Sequence, residues 1–270
     1  MKKIEKIKIN DIELLNDIIN EKRNSQDLKK INYKKILEEN KGTIEEWYKL
    51  YSLDYLLKEK EKKLEKALKT LYTNKTKSSS KILSSINKHF PNICIYCGYG
   101  EANTIDHYYP KENYSEFSIF SLNLFPVCGN CNTLKGSKIF NSQKERLFIN
   151  FYTDEINKNF LYVLLDYSSD DEIPIIKYRL AEDTPEILKS HIEQLKLIDR
   201  YNNILTEEIS TIYLKNKKIG LVRELKKKML YEEYIILQKK WGYNHWKAVL
   251  YKALSENEDF LDSIEQDKSL

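Results

Sequence analysis

The sequence contains no apolar run approaching the roughly 18 residues that a bilayer-spanning helix needs, so no membrane partner is expected. Its first ten residues, MKKIEKIKIN, are basic but carry no apolar core, which argues against a secretory signal. A cytoplasmic location is the expectation. Cysteine is scarce, four among 270 residues. Glycine (seven) and proline (five) are also few, yet four of the glycines and two of the prolines crowd into residues 92–140 with all the cysteines. That concentration marks a compact, turn-rich, metal-stapled module. No internal repeat is visible. The stacking-aromatic motif of RNA-binding modules is also missing. What is present reads as soluble and globular, with 41% hydrophobic and 32% charged residues.

The net charge of +4 says little until it is divided along the chain. Residues 1–90 hold 22 Lys/Arg against 14 Asp/Glu, residues 91–150 hold five of each, and residues 151–270 hold 18 against 22. A basic N-terminal third can face a polyanion. A chain rich in Lys, Asn, Ile and Tyr also fits an AT-rich genome, and that plainer reading stands beside the first.

Three regions follow: helical 1–90, a cysteine module at 91–142, and a mixed strand and helix region at 143–270. In the first, NDIELLNDIINEKR has helical apolar spacing with Asn10 or Asp11 as cap. The long segment from Thr43 to Tyr72 reads as helix, with Thr43 and Glu46 forming a capping box. Its Lys/Glu tail, Lys58 to Lys69, reads as a solvated face. TNKTKSSSK (73–81) is a candidate linker, followed by a helix from about Ser80 to His89 that Pro91 ends. RLFINFY (146–152), FLYVLLDY (160–167) and IPIIKYRL (173–180) are candidate strands, with SSDDEIP as a turn between the last two. Thr184 and Pro185 open a helix that runs to about Lys218. Further helices cover about Val222 to Lys240 and the segment beginning WGYNHW.

The chemistry concentrates in the cysteine module. Cys94 and Cys97 form one Cys-x-x-Cys pair, Cys128 and Cys131 another. In a cytosolic protein such pairs are more often metal ligands than disulfides. Two knuckles give four thiolates and a closed tetrahedral zinc site with no open position, so the zinc expected is structural. A redox dithiol is the alternative. Between the pairs, Asp106 and His107 are adjacent, and an extended backbone sends their side chains to opposite sides. If CNTLKGSK opens a helix, Asn132 and Lys135 share a face. A carboxylate and an amide oxygen suit Mg²⁺ or Mn²⁺, with the Lys135 charge nearby.

These stretches, CIYCG, IDHYYPK and LNLFPVCGNCNTLKG, resemble the HNH endonuclease family, the ββα-metal fold with an added four-cysteine zinc site. The resemblance covers about residues 92–140. It puts the first His of the signature on His107, the middle Asn on Asn123 and the third position on Asn132, where many members have His. It implies a central ββα module, and with the helical and strand patterns on either side the expected fold is α+β and predominantly helical. It implies that His107 is the general base and that Asp106 and Asn132 hold one catalytic divalent ion. Asn123 would brace the loop. Lys135 and Lys111 are candidates for substrate phosphate, with a plain surface lysine as the alternative for each. HIEQLKL and WGYNHWKAVLYKAL look similar, more loosely, to stretches flanking such modules in bacterial proteins suspected of phage defence.

The resulting expectation is an endonuclease acting on double-stranded DNA, an effector of phage defence or restriction. A protein partner such as an ATPase or sensor, or a second copy of the chain, is compatible with that role. The alternatives are a zinc-stapled nucleic-acid-binding or adaptor module that does not cut, and an RNase. Tyr108 and Tyr109 read as packing, with one of them a candidate to support the base. His191 and His245 read as packing residues and His89 as a surface or cap residue.

Overall fold

Short capped helices dominate the N-terminal part of the computed structural model, which describes residues 2–23, 31–55, 57–90, 92–167 and 175–265. Helix α1 (Asp11–Glu21) starts where the Asn10 side chain accepts the Glu13 N–H at 3.2 Å, and it buries Leu15, Ile18 and Ile19. That is the ordinary Asn N-cap followed by an apolar stripe. Asn32 caps α2 (Tyr33–Glu39) in the same way. Helices α3 (Lys41–Lys49), α4 (Lys62–Thr73) and α5 (Lys77–His89) complete the set.

Several expectations fail here. The segment from Thr43 to Tyr72 is not one helix, and Thr43 lies inside α3 rather than capping it. Side chains between the helices find better partners out of helix. Tyr51 donates to Leu122 O at 3.0 Å, Tyr55 donates to Glu116 Oε1 at 3.0 Å, and Lys60 pairs with Glu116 at 2.8 Å. The Lys60–Glu116 pair is buried, so Lys60 is not part of a solvated face. The candidate linker at 73–81 is also mostly helix. A reciprocal capping box between Thr76 and Ser79 starts α5 at Lys77. Pro91 and the SSDDEIP turn lie outside the described residues.

The central module is a hairpin and a helix. Strand β1 (Thr104–His107) runs antiparallel to β2 (Leu124–Val127), with Asp106 opposite Phe125 and His107 opposite Leu124. Helix α6 (Gly129–Lys135) follows directly and packs on β1. The connection between the strands carries short 3-10 turns at Ser115–Phe117 and Ser121–Asn123. Around it Tyr51, Tyr55, Tyr109, Phe117 and Phe120 form an aromatic cluster.

The chain divides into two compact units, one of Glu5–Arg146 and one of Met1–Ile4 with Leu147–Leu270. In the second, β3 (Leu161–Asp166) pairs antiparallel with β4 (Ile175–Leu180). Among the described residues five helices accompany them: α7 (Glu186–Gln194), α8 (Leu197–Lys218), α9 (Arg223–Trp241), α10 (Trp246–Glu256) and α11 (Glu258–Ser263). The helix expected to run on to Lys218 is interrupted at Lys196, whose φ is +51°. The strand expected at 146–152 does not form. Asn150 Oδ1 accepts the Tyr152 N–H at 3.0 Å, and Asp154 accepts the Asn150 N–H at 2.9 Å. These side chains take backbone donors that a sheet would need. The architecture is mostly helical α+β with two small two-stranded sheets. No helix among the described residues is long and apolar enough to cross a membrane.

Candidate functional site

The four cysteines come together by local turns. In the first knuckle, Gly98 N–H donates to Cys94 O at 2.8 Å with Gly98 at φ +72°, and Gly100 N–H points to Cys97 Sγ at 3.4 Å. In the second, Cys128 caps α6 and its Sγ accepts the Cys131 N–H at 3.4 Å. A side chain at Gly100 would begin 3.0 Å from Cys128 Cβ and 3.1 Å from its Sγ, so the knuckles close only over a glycine. The four sulfurs are buried and lie within 4.8 Å of one another.

Cys97 Sγ and Cys128 Sγ are 3.9 Å apart. A disulfide needs about 2.05 Å, whereas tetrahedral zinc with Zn–S near 2.3 Å sets its sulfurs about 3.8 Å apart. The donor set therefore fits structural zinc. It leaves no coordination position for a reacting water.

Strand β1 then splits its two chemical residues. Asp106 faces the knuckle and α6 and is only 4% exposed. Tyr96, between the first two cysteines, donates to Asp106 Oδ2 at 2.7 Å. Lys135, the last residue of α6, places Nζ 3.2 Å from Oδ1 and 3.1 Å from Oδ2. The same ammonium donates to His107 O at 2.7 Å. Burial raises the Asp106 pKa, while Lys135 and the Tyr96 hydroxyl pull it back down. Burial lowers the Lys135 pKa, and Asp106 counters it. Lys135, read from sequence as a surface or phosphate-contacting lysine, is in fact fully buried in this ion pair.

His107 sits on the opposite side, 6% exposed. Its Nε2 lies 2.9 Å from Ser118 O. A carbonyl only accepts, so Nε2 carries the proton and Nδ1 is the basic nitrogen. Burial lowers the His107 pKa to about 3, with Lys111 and Lys135 adding to the effect and the Ser118 carbonyl opposing it. The Tyr72 ring meets the imidazole edge-on at 4.5 Å, and Lys111 Nζ lies 5.5 Å from the Tyr72 ring centre. Lys111 is half-buried and paired with Glu112 at 3.4 Å.

Asn123 is fully buried and uses both ends of its amide. Its Oδ1 accepts the Tyr109 N–H at 2.8 Å, and its Nδ2 donates to Tyr109 O at 3.0 Å and Phe117 O at 3.1 Å. The amide thereby pins Tyr109 to the far side of the loop, while the Tyr108 N–H donates to the Asn123 main-chain carbonyl at 2.8 Å. Tyr108 and Tyr109 are themselves buried in the aromatic packing. Asn132 is half-exposed on α6, one turn before Lys135, and its Nδ2 donates to Thr104 Oγ1 at 3.2 Å. That bond leaves Oδ1 for a ligand, on the helix face that packs on β1.

An acid and an amide oxygen suit a hard cation by donor type. In the folded protein the positive charge against Asp106 is the Lys135 ammonium, 3.1–3.2 Å from the carboxylate oxygens. Sequence reasoning missed Tyr96, Tyr72 and Ser118. Only Tyr96 had a signal, its place inside a Cys-x-x-Cys. The remaining histidines lie elsewhere. His191 is buried and accepts the Ile149 N–H at 3.3 Å, His245 stacks on Trp241 at 5.6 Å, and exposed His89 meets Glu5 O at 2.9 Å.

No family model matches the chain, and no solved structure matches it. Among curated proteins it is similar to protein ea31 of Escherichia phage lambda. The two are 24% identical over 220 residues, covering 75% of this chain and 74% of that protein. The likeness thus extends far beyond the cysteine module.

Proposed function

We propose that the chain is an HNH-type endonuclease that hydrolyses phosphodiester bonds of DNA, with His107 as general base. The observation that carries this reading is the strand end at Asp106–His107. One residue faces a buried cation position and the next presents an imidazole whose tautomer is fixed by Ser118 O. The hairpin and following helix set these groups beside a closed zinc framework that Tyr96 ties to Asp106.

In this reading Nδ1 of His107 takes the proton of the attacking water. The Nε2–H bond to Ser118 O keeps the ring oriented and strengthens as the imidazolium forms. The low pKa keeps the base neutral at pH 7 but makes it weak. An arriving phosphate, being anionic, raises it toward the working range. Lys111 is the cation beside the Tyr72 cover that phosphate would meet on approach. Asn123 holds the loop that carries Tyr108 and Tyr109 and touches no substrate. A divalent ion held by Asp106 and Asn132 would stabilise charge on the scissile phosphate and the leaving 3′ oxygen. The net positive charge of residues 1–90 favours contact with the DNA backbone. The looser C-terminal resemblance supports a setting in phage defence or restriction.

A second reading, a zinc-stapled binding or adaptor module, draws on one observation: the Asp106 carboxylate is neutralised and His107 is nearly covered. Incubating the zinc-loaded protein with supercoiled plasmid and with a structured RNA, in Mg²⁺, Mn²⁺ or EDTA, separates the readings. Metal-dependent nicking or linearisation of the plasmid is expected. Binding without cleavage in every condition would favour the adaptor, and cleavage confined to RNA would move the substrate.

A further inference from the structure

A carboxylate as buried as Asp106 needs a positive charge at contact distance, because an unpaired buried charge is strongly destabilising. Lys135 supplies it. The ammonium is almost equidistant from the two carboxylate oxygens, at 3.2 and 3.1 Å, so it stands in front of the carboxylate. That is the position a cation shared by both oxygens occupies. A divalent ion of magnesium size sits about 2.1 Å from its oxygen ligands. An ion that close to Asp106 would press directly on the ammonium, and like charges in a water-poor pocket repel strongly. The two cations exclude each other.

We propose that Lys135 is a built-in competitor for the divalent ion. The ammonium fills the cation position of Asp106 in the resting protein, and the ion enters only when Lys135 leaves. This rests on reading Asp106 as an ion ligand. The placement of Lys135 suits the exchange. It is the last residue of α6, followed by Gly136 at φ +54°, so the side chain hangs from a helix end rather than from its middle. Its second acceptor is the carbonyl of His107, so its departure also releases a bond to the residue that carries the base. Asn132, one turn earlier on the helix, keeps Oδ1 available while Lys135 occupies the carboxylate.

A displaced ammonium in a buried site needs another anion. A phosphodiester entering beside His107 provides one, and Lys135 would then bind phosphate only after giving up Asp106. Ion and nucleic acid therefore bind with positive coupling, and the coupling is reciprocal. The resting protein is held with a weak ion site and a covered base until substrate arrives.

The test is Mn²⁺ binding to the zinc-loaded protein, read by electron paramagnetic resonance of the free ion and not by cleavage. Lys135→Gln removes the charge and keeps a donor within reach of His107 O. It is expected to bind Mn²⁺ at least tenfold more tightly than the wild type. Lys135→Met, which removes donor and charge together, is expected to do the same. Lys135→Arg keeps a cation and should stay as weak as the wild type. Asp106→Asn should lose the site. Zinc content and thermal midpoint report whether each variant is folded. Should both neutral variants fail to fold, Mn²⁺ titration of the wild type with and without an uncleavable phosphorothioate duplex decides, with tighter ion binding on DNA expected. A folded neutral variant that binds Mn²⁺ no better than the wild type, or DNA that leaves the affinity unchanged, would overturn the competitor role and leave the nuclease reading standing. Absence of any Mn²⁺ site in all variants would remove both.

Discussion

At His107 one hydrogen bond and near-complete burial set the protonation state of the ring. The folded protein keeps the ring neutral down to about pH 3, whereas the unfolded chain protonates near pH 6.5. Above pH 6.5 both states are neutral and the residue adds no slope. Between 6.5 and 3 the unfolded state binds the extra proton, so stability falls as pH falls. Going from pH 7 to pH 5, the wild type should lose about 2 kcal/mol more than His107→Gln, measured by urea unfolding. Parallel losses in the two proteins would refute that account of the ring. Asn123 answers to a different test. Asn123→Ala strips the Tyr109 N–H and the Tyr109 and Phe117 carbonyls of their partner. A cost of about 2–4 kcal/mol is expected, since buried groups left unpaired lose about 1–3 kcal/mol each. Zinc content should not change, because Asn123 contacts none of the cysteines.

The elements show why some of this was legible from sequence and some not. The cysteine spacing, the Asp-His step and the helix that carries Cys131 are local signals, and local backbone geometry is enough to carry them. The hairpin follows from them, since two knuckles drawn to one metal bring the segments before and after the loop together. Tyr51 and Tyr55 gave no such signal. They look like helix residues until Glu116 and Leu122, sixty to seventy positions away, claim their hydroxyls. Lys60 and Lys135 mislead for the same reason. A lysine reads as surface unless the distant carboxylate that buries it is known. The failed strand at 146–152 turned on side chains of Asn150 and Asp154, which no periodicity reveals. At this scale the zinc knuckles make a sharp prediction. Gly100→Ala forces a methyl to 3.0–3.1 Å from Cys128. The variant should hold zinc more weakly in a chelator competition, whereas Gly42→Ala, where the added methyl meets nothing within 4 Å, should match the wild type.

For the whole molecule, the division of charge matters more than its sum. Residues 1–90 carry the excess of lysine and arginine, and residues 151–270 are net acidic. If the basic third grips the DNA backbone, binding should weaken linearly on a plot of log affinity against log salt. The slope should shrink when lysines of α4 such as Lys62, Lys63 and Lys66 are changed to glutamine. A salt-independent affinity would place the DNA contact elsewhere. A zinc ion in the four-cysteine site would act at this scale as well, since such a site contributes roughly 10 kcal/mol of folding free energy in small modules. Stripping it should therefore unfold the hairpin and α6, abolishing any cleavage without direct attack on the base.

The most direct measurement is cleavage of supercoiled plasmid by the wild type and by His107→Ala, each with its zinc content measured, in Mg²⁺ and in Mn²⁺. The account predicts nicking or linearisation by the wild type and its loss in the variant, with zinc retained in both. Equal cleavage by the two proteins would contradict the assignment of His107 as the base.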